Sequence, residues 1–447
     1  MAAALMALSA LLLSIFLLLG GNGLLGTLLA LGASSAGFST TMTGLIMSGY
    51  FIGFFVGCFA GPTLVRRVGH IRVFAGMAAI ACAVALLHAL LRDPLAWTAL
   101  RFVSGICFAS LSMVIESWLN DAADNRTRGT VISTYVIVDR SAIALGALAV
   151  GLAPVESFTL FAIVAIAICL ALVPVSLASG RAPAPITQAK LRPLWLYRIS
   201  PVGVVGCFAV GLANAAFMSL APLFATQTGF NPAEVGLFMA VLVMGGLASQ
   251  WPLGWLSDRM DRRLLLIVLS VATAAFALGT AFLPALWAPS LFILSALLGA
   301  ALLPIYSITI AHANDYMKPE DFVSASGGLL LAYGAGAMAG PFIASTAMTV
   351  LGAWALFVHL AAVYLASAAF IGYRRLRRPG VGPQDKVDFV AVPRTTPAVF
   401  EVDPRAEDHV DEQAGEEANA EAASGAVDLV EPALDQPTGD GITPRQG

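Results

Sequence analysis

The chain has 447 residues, of which 58% are hydrophobic and 11% charged, with a formal net charge of −3. Soluble domains carry about 25% charged residues, so a water-soluble globular protein is excluded. The apolar residues fall in runs of about 20, the length that crosses a hydrocarbon core of about 30 Å.

The small net charge conceals two populations. Residues 1–378 hold 20 Lys and Arg against 12 Asp and Glu, whereas residues 379–447 hold 4 against 15. Cys58, Cys82, Cys107, Cys169 and Cys207 all lie in apolar runs without CxxC spacing, so they read as small apolar filler. Neither a Walker A loop nor a His/Cys metal spacing occurs, which argues against an ATP-driven pump within this chain. No metal, cofactor or nucleic-acid partner is expected.

Apolar runs and charged breaks divide the chain into twelve spans, near 4–32, 41–65, 71–92, 95–118, 129–152, 156–177, 200–228, 232–257, 263–282, 288–314, 322–350 and 353–374. The first run lacks a positive n-region and so reads as span 1 rather than a leader. Alternate loops carry Arg66, Arg67 and Arg72; Arg126 and Arg128; Arg181, Lys190, Arg192 and Arg198; Arg259, Arg262 and Arg263; Lys318; and Arg374, Arg375, Arg377 and Arg378. The intervening loops hold Arg92 alone. Lys and Arg are retained on the cytoplasmic side, which predicts that both termini are cytoplasmic. The expected plan is an all-α polytopic protein with a bundle at 1–177, a linker at 178–199, a second bundle at 200–378 and a tail at 379–447. The linker carries Pro183, Pro185 and Pro193, with Trp195 and Tyr197 suited to the lipid interface. The tail is rich in Pro, Ala, Asp and Glu, a composition that does not fold.

The two halves repeat. A shift of 192 residues brings Asn22 onto Asn214, Gly37-Phe38 onto Gly229-Phe230, Gly53 onto Gly245 and Arg66-Arg67 onto Asp258-Arg259 without a gap. Parallel copies with an even number of spans are related by an axis along the membrane normal and enclose a shared cavity. That is transporter architecture: two pseudo-symmetric six-helix bundles.

Gly49, Gly53, Gly57 and Gly61 occupy one face of span 2, and Ser324, Gly328, Ala332, Gly336 and Gly340 one face of span 11. Small residues allow close helix approach in lipid. The two faces are expected to meet across the halves as a surface that slides during alternating access, with static packing inside a bundle as the alternative.

Ionisable residues at membrane depth are costly and hence functional candidates. In span 4, Arg101, Gly105, Ser112 and Glu116 share a helical stripe, expected to face the cavity. Asp139 lies ten residues beyond Gly129, about 15 Å deep, and Arg101 is about 22 Å from Glu116. An Arg101–Asp139 charge pair that a proton breaks at Asp139 would couple transport to protons. Arg140 points about 100° away, toward a substrate carboxylate or Glu116, and Glu116 itself suits a cytoplasmic gate. Asn22 and Asn214 flank the expected cavity, either binding a polar solute or bridging helices. Tyr306, with Ser307 and Thr309, is a weaker cavity candidate, and His88, His312 and His359 read as packing residues.

Between spans 8 and 9 the run Gly254-Trp-Leu-Ser-Asp258-Arg259-Met-Asp261-Arg262-Arg263 resembles the loop signature of the major facilitator superfamily, Gly-x-Leu-Ala-Asp-Arg-x-Gly-Arg-Arg. Its repeat mate at 62–72 keeps the turn but has Arg66 in place of the family's Asp, and Arg101-Phe-Val-Ser-Gly105 is similar to the family's Arg-x-x-x-Gly. With Val114-Ile-Glu116-Ser117, Gln250-Trp-Pro-Leu-Gly254 and Gly336-x-x-x-Gly340-Pro341, the pattern resembles the YcaD-like bacterial branch over about residues 5–375. The branch has uncharged residues at 139 and 140, so this pair would mark a solute particular to this chain.

The resemblance implies a secondary transporter in a bacterial cytoplasmic membrane, moving a small solute by alternating access. It is expected to be monomeric and proton-driven, with export favoured over uptake. Asp258, Arg259 and Arg262, with Arg66 and Arg67, are the candidate latch, because charged groups pair well with helix ends. The rival reading is a transport-inactive receptor or scaffold whose acidic tail recruits a partner.

Overall fold

The computed structural model describes residues 2–122, 128–177, 193–282, 290–317, 321–382, 386 and 389–391. The first half comprises α1 (Ala2–Ser35), α2 (Thr40–Val68), α3 (His70–Leu90), α4 (Pro94–Ala122), α5 (Arg128–Leu148), a 3₁₀ turn (Ala149–Leu152) and α6 (Phe158–Leu177). A short α7 (Pro193–Ile199) leads into the second half: α8 (Pro201–Gln227), α9 (Pro232–Arg259), α10 (Arg262–Phe282), α11 (Ser290–Leu302), α12 (Ile305–Asn314), α13 (Phe322–Leu351) and α14 (Ala355–Arg377). Among the described residues twelve spans are long and apolar enough to cross a membrane, with Ser290–Asn314, α11 and α12 together, forming one of them. The fold is the twelve-helix, two-bundle arrangement that the repeat predicts.

The pseudo-symmetry extends to the caps. Gly37 and Gly229 both adopt positive φ, 74° and 95°, a region that glycine enters without steric cost. Each allows the next residue to bond back into its helix, Phe38 N–H to Ala33 C=O at 2.9 Å and Phe230 N–H to Ala225 C=O at 3.1 Å. The following helices begin at equivalent caps. Ser39 accepts from the Met42 N–H, while Asn231 and Glu234 form a reciprocal capping box.

The glycine faces do not meet each other. A Cβ at Gly53 or Gly57 would run into the backbone of Phe102 or Ile106 on α4, and one at Gly49 into Thr98; at Gly61 it would press on Met113. Gly336 and Gly340 abut Phe208 and Leu212 on α8. The span 2 stripe, and Gly336 and Gly340 of the other, therefore serve close packing inside their own bundle, correcting the expected sliding surface. Helices α2 and α13 still touch across the halves, through other residues. Gly44 lies against Pro341 and Ser345, Gly334 against the Phe55 ring, and the Thr41 and Thr349 hydroxyls are 2.8 Å apart.

Two faces can be distinguished. The last helical turns bearing Arg66, Arg259 and Arg374 lie at one end of the helices, here termed the basic face. Toward the opposite face the halves close on each other, where Gly236 contacts Ala147 and Gly151 contacts Ala233.

The tenth span breaks at Leu303-Pro304. Pro304 has no N–H to offer the Ala300 carbonyl, and the Ser249 hydroxyl of α9 donates to that carbonyl instead, at 2.8 Å. Ser249→Ala leaves this carbonyl without the bond, and a loss of about 1 kcal/mol is expected in a denaturant titration of the purified protein.

Of the expected linker, residues 178–192 lie outside the described residues, and the remainder forms α7, whose Leu196 fills the space beside Gly328. The tail departs from expectation at its start. Lys386 Nζ donates to the Met260 and Asp258 carbonyls at the end of α9, at 2.6 and 3.4 Å. The Phe389 ring fills the notch beside Gly254, and Val390 packs on Ile132 and Val136 of α5. Apolar side chains within the first dozen tail residues give this part a packed berth. Residues 392–447 lie outside the described residues.

Candidate functional site

A cavity of about 460 Å³ lies between the halves, lined from α1, α2, α4 and α5 on one side and α8, α9 and α13 on the other. Its lining runs from the middle of the helices to Pro62 on α2 and Gly327 on α13, toward the basic face. The walls are chiefly Phe, Met, Gly and Ala, interrupted by Asn22, Tyr50, Arg101, Ser112, Asp139, Arg140 and Asn214.

Each half supplies one amide–phenol pair. Asn22 Nδ2 donates to the Tyr50 hydroxyl at 3.3 Å, and the Tyr364 hydroxyl donates to Asn214 Oδ1 at 2.7 Å. The Asn214 Nδ2 is buried with no hydrogen-bond partner. Both asparagines thus bridge helices and line the cavity. The two phenols went unnoticed in the sequence, where mid-span Tyr residues at 50 and 364 were the available signal.

Arg101 is 5% exposed. Its guanidinium lies 4.3 Å from the centre of the Tyr50 ring, and its Nε and Nη1 have no hydrogen-bond partner. Asp139 is paired with its neighbour, Arg140 Nε to Asp139 Oδ2 at 3.3 Å. The Arg101–Asp139 pairing expected from helix depth is not made in this conformation. The long Arg140 side chain curls back to the preceding residue, although the two Cβ bonds diverge.

Of the span 4 stripe, Arg101 and Ser112 line the cavity. A Cβ at Gly105 would strike the backbone of Tyr50 and Phe54, so this glycine serves the α2–α4 contact. Glu116 is fully buried and accepts from the Tyr135 hydroxyl of α5 at 3.2 Å. Tyr306 stands outside the main cavity and packs edge-on against Tyr333, which lines it. A smaller hollow joins Tyr306 and Ser307 to Arg140 and Gln250.

At the basic face the candidate latch resolves into a cluster inside the second half. Arg262, 1% exposed, holds Asp258 at 2.7 Å, Asp315 at 2.6 Å and the Ala311 carbonyl at 2.7 Å. It therefore ties α9, α10 and α12 together rather than one half to the other. Asp315 was missed in the sequence, although it directly follows span 10. Arg259 lies over the Trp255 ring at 3.9 Å. Arg66 and Arg67 are exposed, and Arg66 bonds Thr63 on its own helix at 3.2 Å.

Asp261 pairs with Arg263 and Arg375 at 3.1 and 3.3 Å. Burial works against its charge, but the Arg263 bonds and the two arginine charges outweigh burial and hold its carboxyl below the usual range. A depressed carboxyl stabilises the fold above the unfolded value of about 3.9 and loses that contribution as pH falls through the folded value. Asp261→Asn should therefore leave the pH dependence of thermal stability between about pH 5 and 8 unchanged and flatten it only below about pH 4. Thermal melts of both proteins across that range check it.

Two six-helix halves around a mid-membrane cavity with buried charges define a membrane transporter. The model of the Major Facilitator Superfamily matches residues 11–289 and 203–405. The chain is 30% identical over 345 residues to the uncharacterized MFS-type transporter YcaD of Salmonella typhimurium, covering 76% of this chain and 88% of that one. It is 28% identical over 373 residues to the uncharacterized MFS-type transporter YE1530 of Yersinia enterocolitica, at 82% and 94% coverage. In fold it is similar to the nucleoside transporter NupG, with TM-score 0.70, 14% identity, and 83% and 99% coverage. A bacterial homologue of the lysosomal transporter Spinster, in an inward-facing, occupied conformation, gives TM-score 0.70, 15% identity, and 85% and 97% coverage. The protein belongs to the major facilitator superfamily, in its YcaD-like bacterial branch.

Proposed function

We propose that the protein is a proton-coupled secondary transporter of the bacterial cytoplasmic membrane that moves a small solute by alternating access, with export favoured over uptake. The observation that carries this reading is the cavity between the halves, because it brings Asp139, Arg140 and Arg101 to one solute-sized space at membrane depth. The Lys/Arg bias assigns the basic face to the cytoplasm, and the lining runs toward that face.

Asp139 is the proton site. Protonation removes its charge, releases Arg140 and changes the charge the cavity offers a solute. Arg101 is the second cation of this centre and the partner Asp139 can take in another conformation. Glu116, bonded to Tyr135 near the basic ends of α4 and α5, is the inner-gate group. The experiment is solute accumulation in proteoliposomes under an imposed pH gradient, with solutes chosen by a thermal-shift screen against metabolites and drugs. Accumulation without any proton movement would remove coupling; binding without flux for every hit would favour a receptor.

A further inference from the structure

The cavity contains a buried cation with no anion of its own. Arg101 is almost fully buried, and two of its nitrogens lack hydrogen-bond partners. An unpaired buried charge is costly, and the face of one neutral ring supplies no counter-charge, so Tyr50 does not balance it. The acid lining the same cavity, Asp139, is engaged by Arg140. Glu116 lies about 22 Å further along α4 and is bonded by Tyr135.

A second unfilled donor belongs to a lining residue of the other half. The Tyr364 hydroxyl occupies Asn214 Oδ1, leaving the buried Nδ2 without an acceptor. The unmet groups are donors, one of them charged, and they belong to opposite halves. Around them the wall is apolar and aromatic, including Phe51, Phe54, Phe55 and Phe108.

We infer that the cavity selects a small organic monoanion with an apolar or aromatic body, its acid group seated on Arg101 with Asn214 as the donor from the second half. This deepens the transporter reading and rests on it. Acid oxygens accept from a guanidinium and from an amide N–H alike. The body lies on the phenylalanines, so a neutral amide or an amine of the same shape leaves Arg101 uncompensated.

The test uses purified full-length protein and a ladder of phenyl-substituted straight-chain acids, from phenylacetate to 6-phenylhexanoate, with the matching amides and amines. Dissociation constants are taken from thermal shifts at concentrations up to about 10 mM. At least one acid should bind, and its amide and amine should bind about tenfold more weakly or worse. Arg101→Gln should bring the acid down to the level of its amide, whereas Arg101→Lys should keep the preference for the acid at lower affinity. Equal or tighter binding of the amide or amine overturns the inference. So does unchanged acid affinity in Arg101→Gln, or no shift from any member of the ladder. Flux of the labelled acid in proteoliposomes separates the two readings. Binding without flux removes transport and keeps the anion site, while equal flux of acid and amide keeps transport and removes the anion site.

Discussion

Replacing Asp139 by Asn should abolish accumulation driven by a pH gradient while leaving solute exchange at equal pH intact. Asn keeps the shape of the side chain and lines the same cavity, but it cannot lose a proton. Coupling requires that the proton and the solute change the same charge centre, and Asp139 is the acid whose pairing with Arg140 lies open to the cavity. The expected outcome is at least a tenfold loss of concentrating power, about 1.4 kcal/mol in the gradient maintained. Counterflow of a labelled solute in the same proteoliposomes should proceed at a rate near that of the unaltered protein. Gradient-driven accumulation at the unaltered level would show that the proton acts elsewhere. Loss of both activities would point to a collapsed cavity rather than to coupling, and a thermal melt of the variant distinguishes that case.

The second large effect is on stability. Arg262→Gln should cost about 3–5 kcal/mol, the range for breaking a buried ion pair by removing one partner. Arg262 is fully buried, and its two partners differ: the Asp315 side chain is 3% exposed and that of Asp258 31%. Removal of the guanidinium leaves the Asp315 carboxylate buried with its main counter-charge gone and frees the ends of α9, α10 and α12 from one another. A lower thermal midpoint and increased proteolysis near residues 258–263 are expected. Arg66→Gln, at the repeat-related turn, should change the midpoint little, because Arg66 is exposed and bonds its own helix. Equal losses in the two variants would mean that burial of the ion pair does not set the cost.

The repeat was legible in the sequence because hydropathy and turn chemistry are local. Helices α2 and α3 start and α3 ends at positions that shift by 192 residues onto α9 and α10, and Gly37 and Gly229 cap their helices alike. The neighbour that each stripe faces was not legible. A four-residue glycine spacing defines a helix face, but not whether α4 or α13 occupies it, since both contact α2. The charges show the same limit. Depth along a helix placed Asp139 and Arg101 in the cavity, yet rotamer and side-chain length decided that Arg140 takes the carboxylate. Asp315 and Tyr364 act through distant partners, Arg262 and Asn214, and no local pattern pairs residues that far apart in sequence. The family signature singled out Asp258, Arg259 and Arg262 as a group, but not that Asp258 and Arg262 pair with each other inside one half.

The seating of Phe389 beside Gly254, with Val390 on Ile132 and Val136, bears on how the acidic remainder can be studied. Ending the protein at Pro379 would strip the ring from its notch, bare apolar surface on helices of both halves, and take Lys386 from the carbonyls that close α9. Ending it after Ala391 removes the negative charge and leaves that surface covered. The two shortened proteins differ in solubility and in the end of a membrane helix, so only the longer one isolates what the charged extension contributes.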